Sequence, residues 1–309
     1  MTVPLKYDDV RLILADPRTH VRSTLKIALA HAGIEGIEHT GSIKSVSETL
    51  EQSVGPDILI CDMGLGDGRA CDFVSAIRRN DVGRNPFLCI IGITWTATVS
   101  DVTRVIDSGV DHLVSAPMSP QQILVRIRAL ARNRAPFVVT SDYVGPDRRR
   151  LEREVSKIPL FDVPNSLQEK VSGTWDPTRF DRKIKIALDG LSTFRIDRQA
   201  EDIMVLASLI ADQSAISGRA TMEANFDRLA GMVVDMERGA SNQGYYHISE
   251  LCRACVGIVD EIRASGGFDV KKDLELLKQL GRAIRTALNP ETSTSNVARD
   301  IVRTVSGAR

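Results

Sequence analysis

The stretch "ILICDMGLGDG" (Ile58–Gly68) reads as a strand that delivers a carboxylate, Asp62, to its end. Four apolar residues precede that aspartate, and Gly64, Gly66 and Gly68 follow it. A short apolar run closed by turn residues fits a strand buried on both faces of a parallel sheet. The sequence around it repeats the pattern. "RLILA" (11–15), a short strand near 37–40, "DILIC" (57–61), "FLCIIGI" (87–93) and "DHLVS" (111–115) are strand-like. Helical patterns fill the intervals: one with Val21, Leu25, Ala28, Leu29 and Ala32 on one face, closed by "HAGIEG", then others at about 42–52, 69–79 and 99–108, and a last one at about 119–132. Five strands alternating with five helices predict a doubly wound parallel sheet, because crossovers between parallel strands are right-handed and lay helices on both faces. The longest apolar run, 87–93, is expected to be the central strand.

Three regions are expected. Residues 1–134 form the α/β domain. Residues 135–176 form a linker that holds several prolines, the apolar stretches "PFVV" and "IPLFDV", and the basic run "RRRLER" (148–153). The apolar pieces suggest a strap lying on a surface more than a free tether. Residues 177–309 are helical, opened by Asp176 as N-cap and Pro177 in the first turn. After that first helix, further helices are expected at about 199–216, 219–238, 247–264, 269–288 and 294–306, forming a bundle.

Composition narrows the function classes. The chain has 309 residues, 40 basic and 40 acidic side chains, and 43% hydrophobic residues, the mix of a globular protein. Residues 1–134 carry 15 of each sign, which leaves 25 of each beyond them. Neither half has the basic excess that phosphate-backbone binding uses, so nucleic acid is not expected as a partner. No apolar run approaches the ~20 residues that span a bilayer. The N-terminus lacks a signal-like apolar core, so a cytoplasmic location is the default. The five cysteines suggest neither a disulfide framework nor a zinc site. Cys61 and Cys89 lie in strands, and the Cys252–Cys255 pair sits in a helical pattern without a second pair.

In a doubly wound sheet, ligands bind beyond the carboxyl ends of the strands. The residues there are Asp16 after the first strand, Asp62 after the third, Thr94 after the fourth, and "SAPMSP" (115–120) after the fifth. Converging carboxylates could hold a hard cation such as magnesium, which would orient an incoming phosphoryl group for attack by Asp62. The hydroxyl of Thr94 could bond a phosphoryl oxygen.

Residues 10–132 resemble a response-regulator receiver domain. The matching elements are "LILADPRTHVRSTL", "PDILICDMGLGDG", "CIIGITW" and "SGVDHLVSAPMSPQQILVRI", in order and spacing. The resemblance implies a phosphoacceptor at Asp62, a phosphoryl-binding hydroxyl at Thr94, and magnesium held by Asp16, Asp62 and the Gly64 carbonyl. It also implies a histidine kinase or phosphotransfer protein as donor. Several positions depart from the family pattern. Two adjacent acids are usual after the first strand. Here Asp16 is followed by Pro17, or, shifted by one, Asp16 follows Ala15; either way one carboxylate is missing. The family lysine before the proline of the fifth strand is Ala116, the aromatic switch position is Leu113, and the loop proline is Gly66. Pro117 is kept, with the cis bond of the family expected before it. These losses weaken a magnesium site and remove the usual relay, so an impaired or phosphorylation-independent receiver is expected; the alternative is a receiver still phosphorylated on Asp62.

Other features are read as structural. "GLGDG" lacks the spacing of a dinucleotide-binding loop. In "YVGPDRRRLER" (143–153), Arg149 and Arg153 have a spacing that resembles the PilZ nucleotide-binding motif, but its partner motif is missing. A basic strap or partner contact is the better reading. His247 opens a helix, and a phosphotransfer histidine would sit mid-helix. The stripe Ile203, Leu206, Ala207, Leu209 and Ile210 is expected to be bundle core, with a homodimer face as the alternative. No catalytic constellation stands out in the helical half, so the chain is expected not to be an enzyme but to act through protein–protein interaction.

Overall fold

The computed structural model describes residues 6–52, 54–96, 98–148, 159–213, 219–242, 244–264 and 271–288. The chain divides into two compact units, Met1–Leu188 and Asp189–Arg309.

The first unit contains β1 (Arg11–Ala15), α1 (Thr19–His31), β2 (Gly36–Thr40), α2 (Ile43–Leu50), β3 (Ile58–Asp62), α3 (Ala70–Arg78), β4 (Cys89–Thr94), α4 (Val99–Asp107), β5 (His112–Ser115) and α5 (Pro120–Arg132). The strands form one parallel sheet in the order β2-β1-β3-β4-β5. The middle strand is therefore β3, not the 87–93 run. β4 is interior all the same, which accounts for its apolar length. Side chains alternate between two apolar layers, as the period of a strand requires. Leu12, Leu14, Ile58, Ile60 and Ile91 share one layer with Leu25 and Leu29 of α1 and Ile123 and Ile127 of α5. Ile13, Leu59, Cys61 and Ile90 share the other with Val46 of α2, Val74 of α3 and Val105 of α4. Local signals start the later helices. Thr98 caps α4 by accepting from Asp101 N, and Ser119 and Gln122 form a capping box on α5 with Pro120 in the first turn.

The segment after α5 is part of this unit's core. β6 (Phe137–Val139) pairs antiparallel with β7 (Val144–Pro146), and α6 (Ser166–Val171) follows. Phe137 is fully buried, edge-on to Phe87 at 6.1 Å. Its ring lies 5.2 Å from the Arg78 guanidinium and 4.9 Å from that of Arg134. Both arginines converge on buried Asp111. Arg78 Nη2 donates to Oδ2 at 2.9 Å and Arg134 Nε to Oδ1 at 2.7 Å. Arg78 also donates to the Pro86, Leu88 and Gly109 carbonyls, so few of its donors are left unmatched. Leu167 and Val171 of α6 join the layer under α1 and α5, and Lys170 Nζ meets the buried Asp57 Oδ2 at 2.8 Å. The expected boundary at 134 thus does not coincide with the limit of the compact unit, which lies at Leu188, because this segment supplies apolar and ionic partners to the sheet's N-terminal edge. Glycine is needed where β7 passes: a Cβ on Gly109 (φ +93°) would stand 2.8 Å from the Val144 carbonyl oxygen. Residues 149–158, including Arg149 and Arg153, lie outside the described residues.

The helical half contains α7 (Pro177–Gln213), α8 (Arg219–Asn242), α9 (Tyr246–Ala264) and α10 (Lys271–Leu288). The two helices expected on either side of 192–198 are one, α7. "STFRIDR" offers neither proline nor glycine to break it, and Ile196 is buried within it. In the second unit, Ile203, Ala207 and Ile210 pack with Leu229, Val233, Cys252, Val259, Leu274 and Ile284, as core. Leu209, by contrast, is exposed. Cys252 and Cys255 are fully buried, and burial pushes both thiols up to about 12. His247 is exposed in the first turn of α9. The helix expected at 294–306 lies outside the described residues.

Two outcomes follow for stability. Lys170→Ala leaves Asp57 Oδ2 with the Arg11 backbone amide alone as its donor among the described residues. Removing one member of a buried pair costs roughly 3 kcal/mol, to be read by denaturant unfolding. Burial pushes the Asp111 carboxyl up, but the Arg134 and Arg78 guanidinium groups outweigh it and hold it below its ordinary value. A carboxyl lowered on folding adds stability above its unfolded pKa of about 4 and loses it as pH falls through the folded value. Unfolding followed through this acid range is expected to lose stability, and Asp111→Asn to start lower at neutral pH with a shallower acid limb.

Candidate functional site

The sheet brings the sequence-predicted residues to one edge. Because β1 and β3 are neighbours with Ala15 opposite Cys61, the residues that follow, Asp16 and Asp62, come out side by side. Thr94 ends β4 beside them, and the cis Ala116–Pro117 bond follows β5. Asp16 is fully buried and Asp62 nearly so. Above them opens a cleft of about 320 Å³ whose lining includes Arg18, Asp62, Gly64, Thr94, Trp95 and Arg104.

The cation in this site is Arg18, which the sequence reading passed over. Its Nη2 donates to Asp62 Oδ2 at 2.5 Å, and its Nε lies 3.4 Å from Asp16 Oδ1. Its backbone amide donates to the same Asp16 oxygen at 2.7 Å. The guanidinium carbon sits over the Trp95 ring, 4.0 Å from its centroid. Arg22 adds a bond from Nη1 to the Asp16 carbonyl. Burial pushes the Asp16 carboxyl up. The Arg18 amide opposes this, the nearby Asp62 charge adds to it, and the Arg18 and Arg22 charges oppose it again; the net shift is upward. Asp16 Oδ2 is buried without a hydrogen-bond partner among the described residues. The signal that could have revealed Arg18 is its place, two residues past the acid, in the loop that faces the ligand edge.

The remaining expected ligands are engaged locally. Gly64 N donates to Asp62 Oδ1 at 2.9 Å, and the Gly64 carbonyl, expected on magnesium, accepts from Gly68 N at 3.3 Å. Thr94 Oγ1 donates to the Thr96 carbonyl at 2.7 Å. Gly66 has φ +64°, a conformation closed to proline, so its departure from the family pattern is a property of this turn. Arg104 Nη2 donates to the Gly68 carbonyl at 2.8 Å and ties α4 to the same loop. Leu113 is half-buried against the layer under α3 and α4, and Ala116 packs against the opposite layer. With a guanidinium against both carboxylates, Pro17 in place of a second acid, and the Gly64 carbonyl accepting within the loop, the residues present do not fit a divalent ion. Among the described residues, no cluster of three or more His, Cys, Asp or Glu side chains could hold a metal.

Sheet order, edge and acceptor-strand aspartate define a receiver fold, and comparison with known proteins agrees. Residues 12–128 match the family described as the response regulator receiver domain. The N-terminal domain is a receiver domain of two-component signalling. The chain is similar to the phosphate regulon transcriptional regulatory protein PhoB of Escherichia coli (22% identity over 129 residues, 42% of this chain and 55% of that protein). It is also similar to the transcriptional regulatory protein PhoP of the same organism (26% over 160 residues, 52% and 63%). It thus spans little more than half the length of these curated relatives. Among solved structures, it is similar to the chemotaxis response regulator CheY4 of Vibrio cholerae (17% identity, TM-score 0.34, 38% of this chain and 96% of that one). It is similar too to HP1043, an orphan response regulator of H. pylori (19%, 0.34, 40% and 96%). No described helix is long and apolar enough to cross a membrane.

Arg18 also sets a titration. Arg18→Ala removes a cation that opposes the upward shift of Asp16, so the Asp16 carboxyl is expected to titrate higher still. Carbon-detected NMR of the side-chain carboxyls checks this, and an unmoved or lowered Asp16 contradicts it.

Proposed function

We propose that this protein is a two-component signalling protein whose receiver domain works by protein–protein contact without phosphoryl transfer to Asp62, and whose helical half is the effector or scaffold. One observation carries this reading: the Asp62 carboxylate that would attack a phosphoryl group is already paired, at 2.5 Å, with Arg18. An attacking carboxylate needs a free oxygen and a cation that neutralises the incoming group. Here the cation and the carboxylate neutralise each other. The partial replacements are also missing, since no lysine stands at Ala116 and the Thr94 hydroxyl proton is committed to the Thr96 carbonyl.

The partners proposed are proteins. A histidine kinase or phosphotransfer protein can dock on a receiver without transferring a group, and the helical half offers a second surface, for other proteins or for a second copy. The relatives PhoB and PhoP are named as transcriptional regulators. Here neither half of the chain has a basic excess, so DNA is not the partner we propose. No catalytic activity is assigned to the chain, and a cytoplasmic place matches the family's role.

The test is a mass measurement after incubation with magnesium and acetyl phosphate, or with a beryllofluoride mimic. Unmodified protein is expected. A phosphoryl adduct that disappears in Asp62→Asn would establish the phosphorylatable alternative instead.

A further inference from the structure

We infer that Arg18 is the resident cation of this receiver: its guanidinium stands in for a divalent ion at Asp16 and Asp62 and, through Trp95, bridges the β1–α1, β3–α3 and β4–α4 loops without any external ligand. The inference deepens the proposed function, since it says what holds the site when no phosphoryl group is there.

The geometry uses each part of the side chain. The guanidinium edge serves the carboxylates, with Nη2 on Asp62 and Nε facing Asp16. The guanidinium carbon lies over the Trp95 indole, 4.0 Å from the ring centroid. A planar, delocalised cation can do both at once and presents several donors in a fixed fork to two carboxylates, which a hydrated metal ion cannot combine with an indole contact. The three residues it joins lie on three different loops. Asp16 and Arg18 precede α1, Asp62 opens the loop before α3, and Trp95 lies between β4 and α4. A second strut, Arg104 on the Gly68 carbonyl, joins α4 to the β3–α3 loop.

The substitution also answers an electrostatic demand. Two carboxylates, one fully buried and the other 2% exposed, stand side by side where the sheet places them. Like charges so close disfavour joint ionisation unless a cation intervenes. A diffusible divalent ion would leave the loops dependent on its concentration. A tethered guanidinium has a local concentration fixed by the chain, so the loops stay joined without a bound metal ion. Trp95, 46% exposed, is then held in one place at the mouth of the cleft, close in sequence to the 84% exposed Val99.

The chain contains two tryptophans, so Trp175→Phe leaves Trp95 as the sole reporter. In that background, Trp95 emission is followed while magnesium chloride alone is added to the full-length protein, with ionic strength held constant. With Arg18 in place, emission is expected to stay unchanged through the millimolar range. Arg18→Ala is expected to shift the emission before any metal is added and to bind magnesium at least about tenfold more tightly than the parent. Cooperative unfolding of the variant is checked by circular dichroism; if Arg18→Ala does not fold, Arg18→Gln, neutral and of similar length, carries the same expectations. A magnesium-dependent change in Trp95 with Arg18 present would overturn the inference. So would unshifted emission, or no gain in magnesium affinity, in a folded Arg18 variant. Failure here is distinguishable from failure of the proposed function: a phosphoryl adduct formed on Asp62 in metal-free buffer would sink that reading and leave a magnesium-blind Trp95 intact.

Discussion

The first unit's ligand edge depends on one guanidinium placed against two carboxylates. The placement is forced by the sheet. Parallel pairing of β1 with β3 sets Ala15 opposite Cys61, so whatever follows each strand emerges at the same level. Asp16 and Asp62 are the residues that follow or end them, and neither is exposed enough for water to screen its charge fully. Such an edge is eased by a cation in it. Here the chain supplies its own from the next residue but one, held by a backbone bond from Arg18 N to the same carboxylate that faces its side chain.

A second ionic cluster plays the corresponding part at the opposite edge of the sheet. Asp111 precedes β5 and collects Arg78 from the end of α3 and Arg134 from beyond α5. The two guanidinium groups border the Phe137 ring, so a charged contact and an apolar one reinforce each other. This explains why the receiver-like unit extends past α5. Without the residues that follow, Phe87, Arg78 and Asp57 would each lose a partner the described structure supplies. A buried ion cluster is weak evidence of net stability, but removing one member is costly. The extension is therefore tied to the sheet by what its absence would expose.

Much of this was legible in the sequence. Short apolar runs, their spacing and the turn residues located all five strands to within two residues, and the switch-point rule placed Asp16, Asp62, Thr94 and Ala116 at one edge. What escaped notice depends on tertiary reach. An arginine next to a proline at the start of a helix reads as a solvated end. Only the juxtaposition of three loops shows that Arg18 turns inward and lies on Trp95. The Arg78–Asp111–Arg134 cluster joins residues from well-separated parts of the chain, so no local pattern announces it. The extension's apolar stretches are visible in the sequence, but whether they cover a surface or complete a core is decided by Phe137 and Leu167, both fully buried. The helix expected after Pro177 and the one expected from about 199 are one, α7, because 192–198 contains no proline or glycine to stop it and buries Ile196.

The same geometry accounts for Asp62 itself. An acceptor-strand aspartate in a receiver invites the reading that it is there to be phosphorylated. In this chain it has a structural task that does not require the chemistry. It accepts from Arg18 on one oxygen and from Gly64 N on the other, closing the turn that the positive-φ residues Gly66, Asp67 and Gly68 continue. Remove Asp62, and the Arg18 guanidinium keeps only the more distant Asp16 oxygen and the indole face. The loop's first bond is lost at the same time. The aspartate and the arginine thus form a unit, each justified by the other. At Pro17 and Ala116 the chain adds neither a third carboxylate nor a lysine to an edge where Arg18 already faces Asp16 and Asp62.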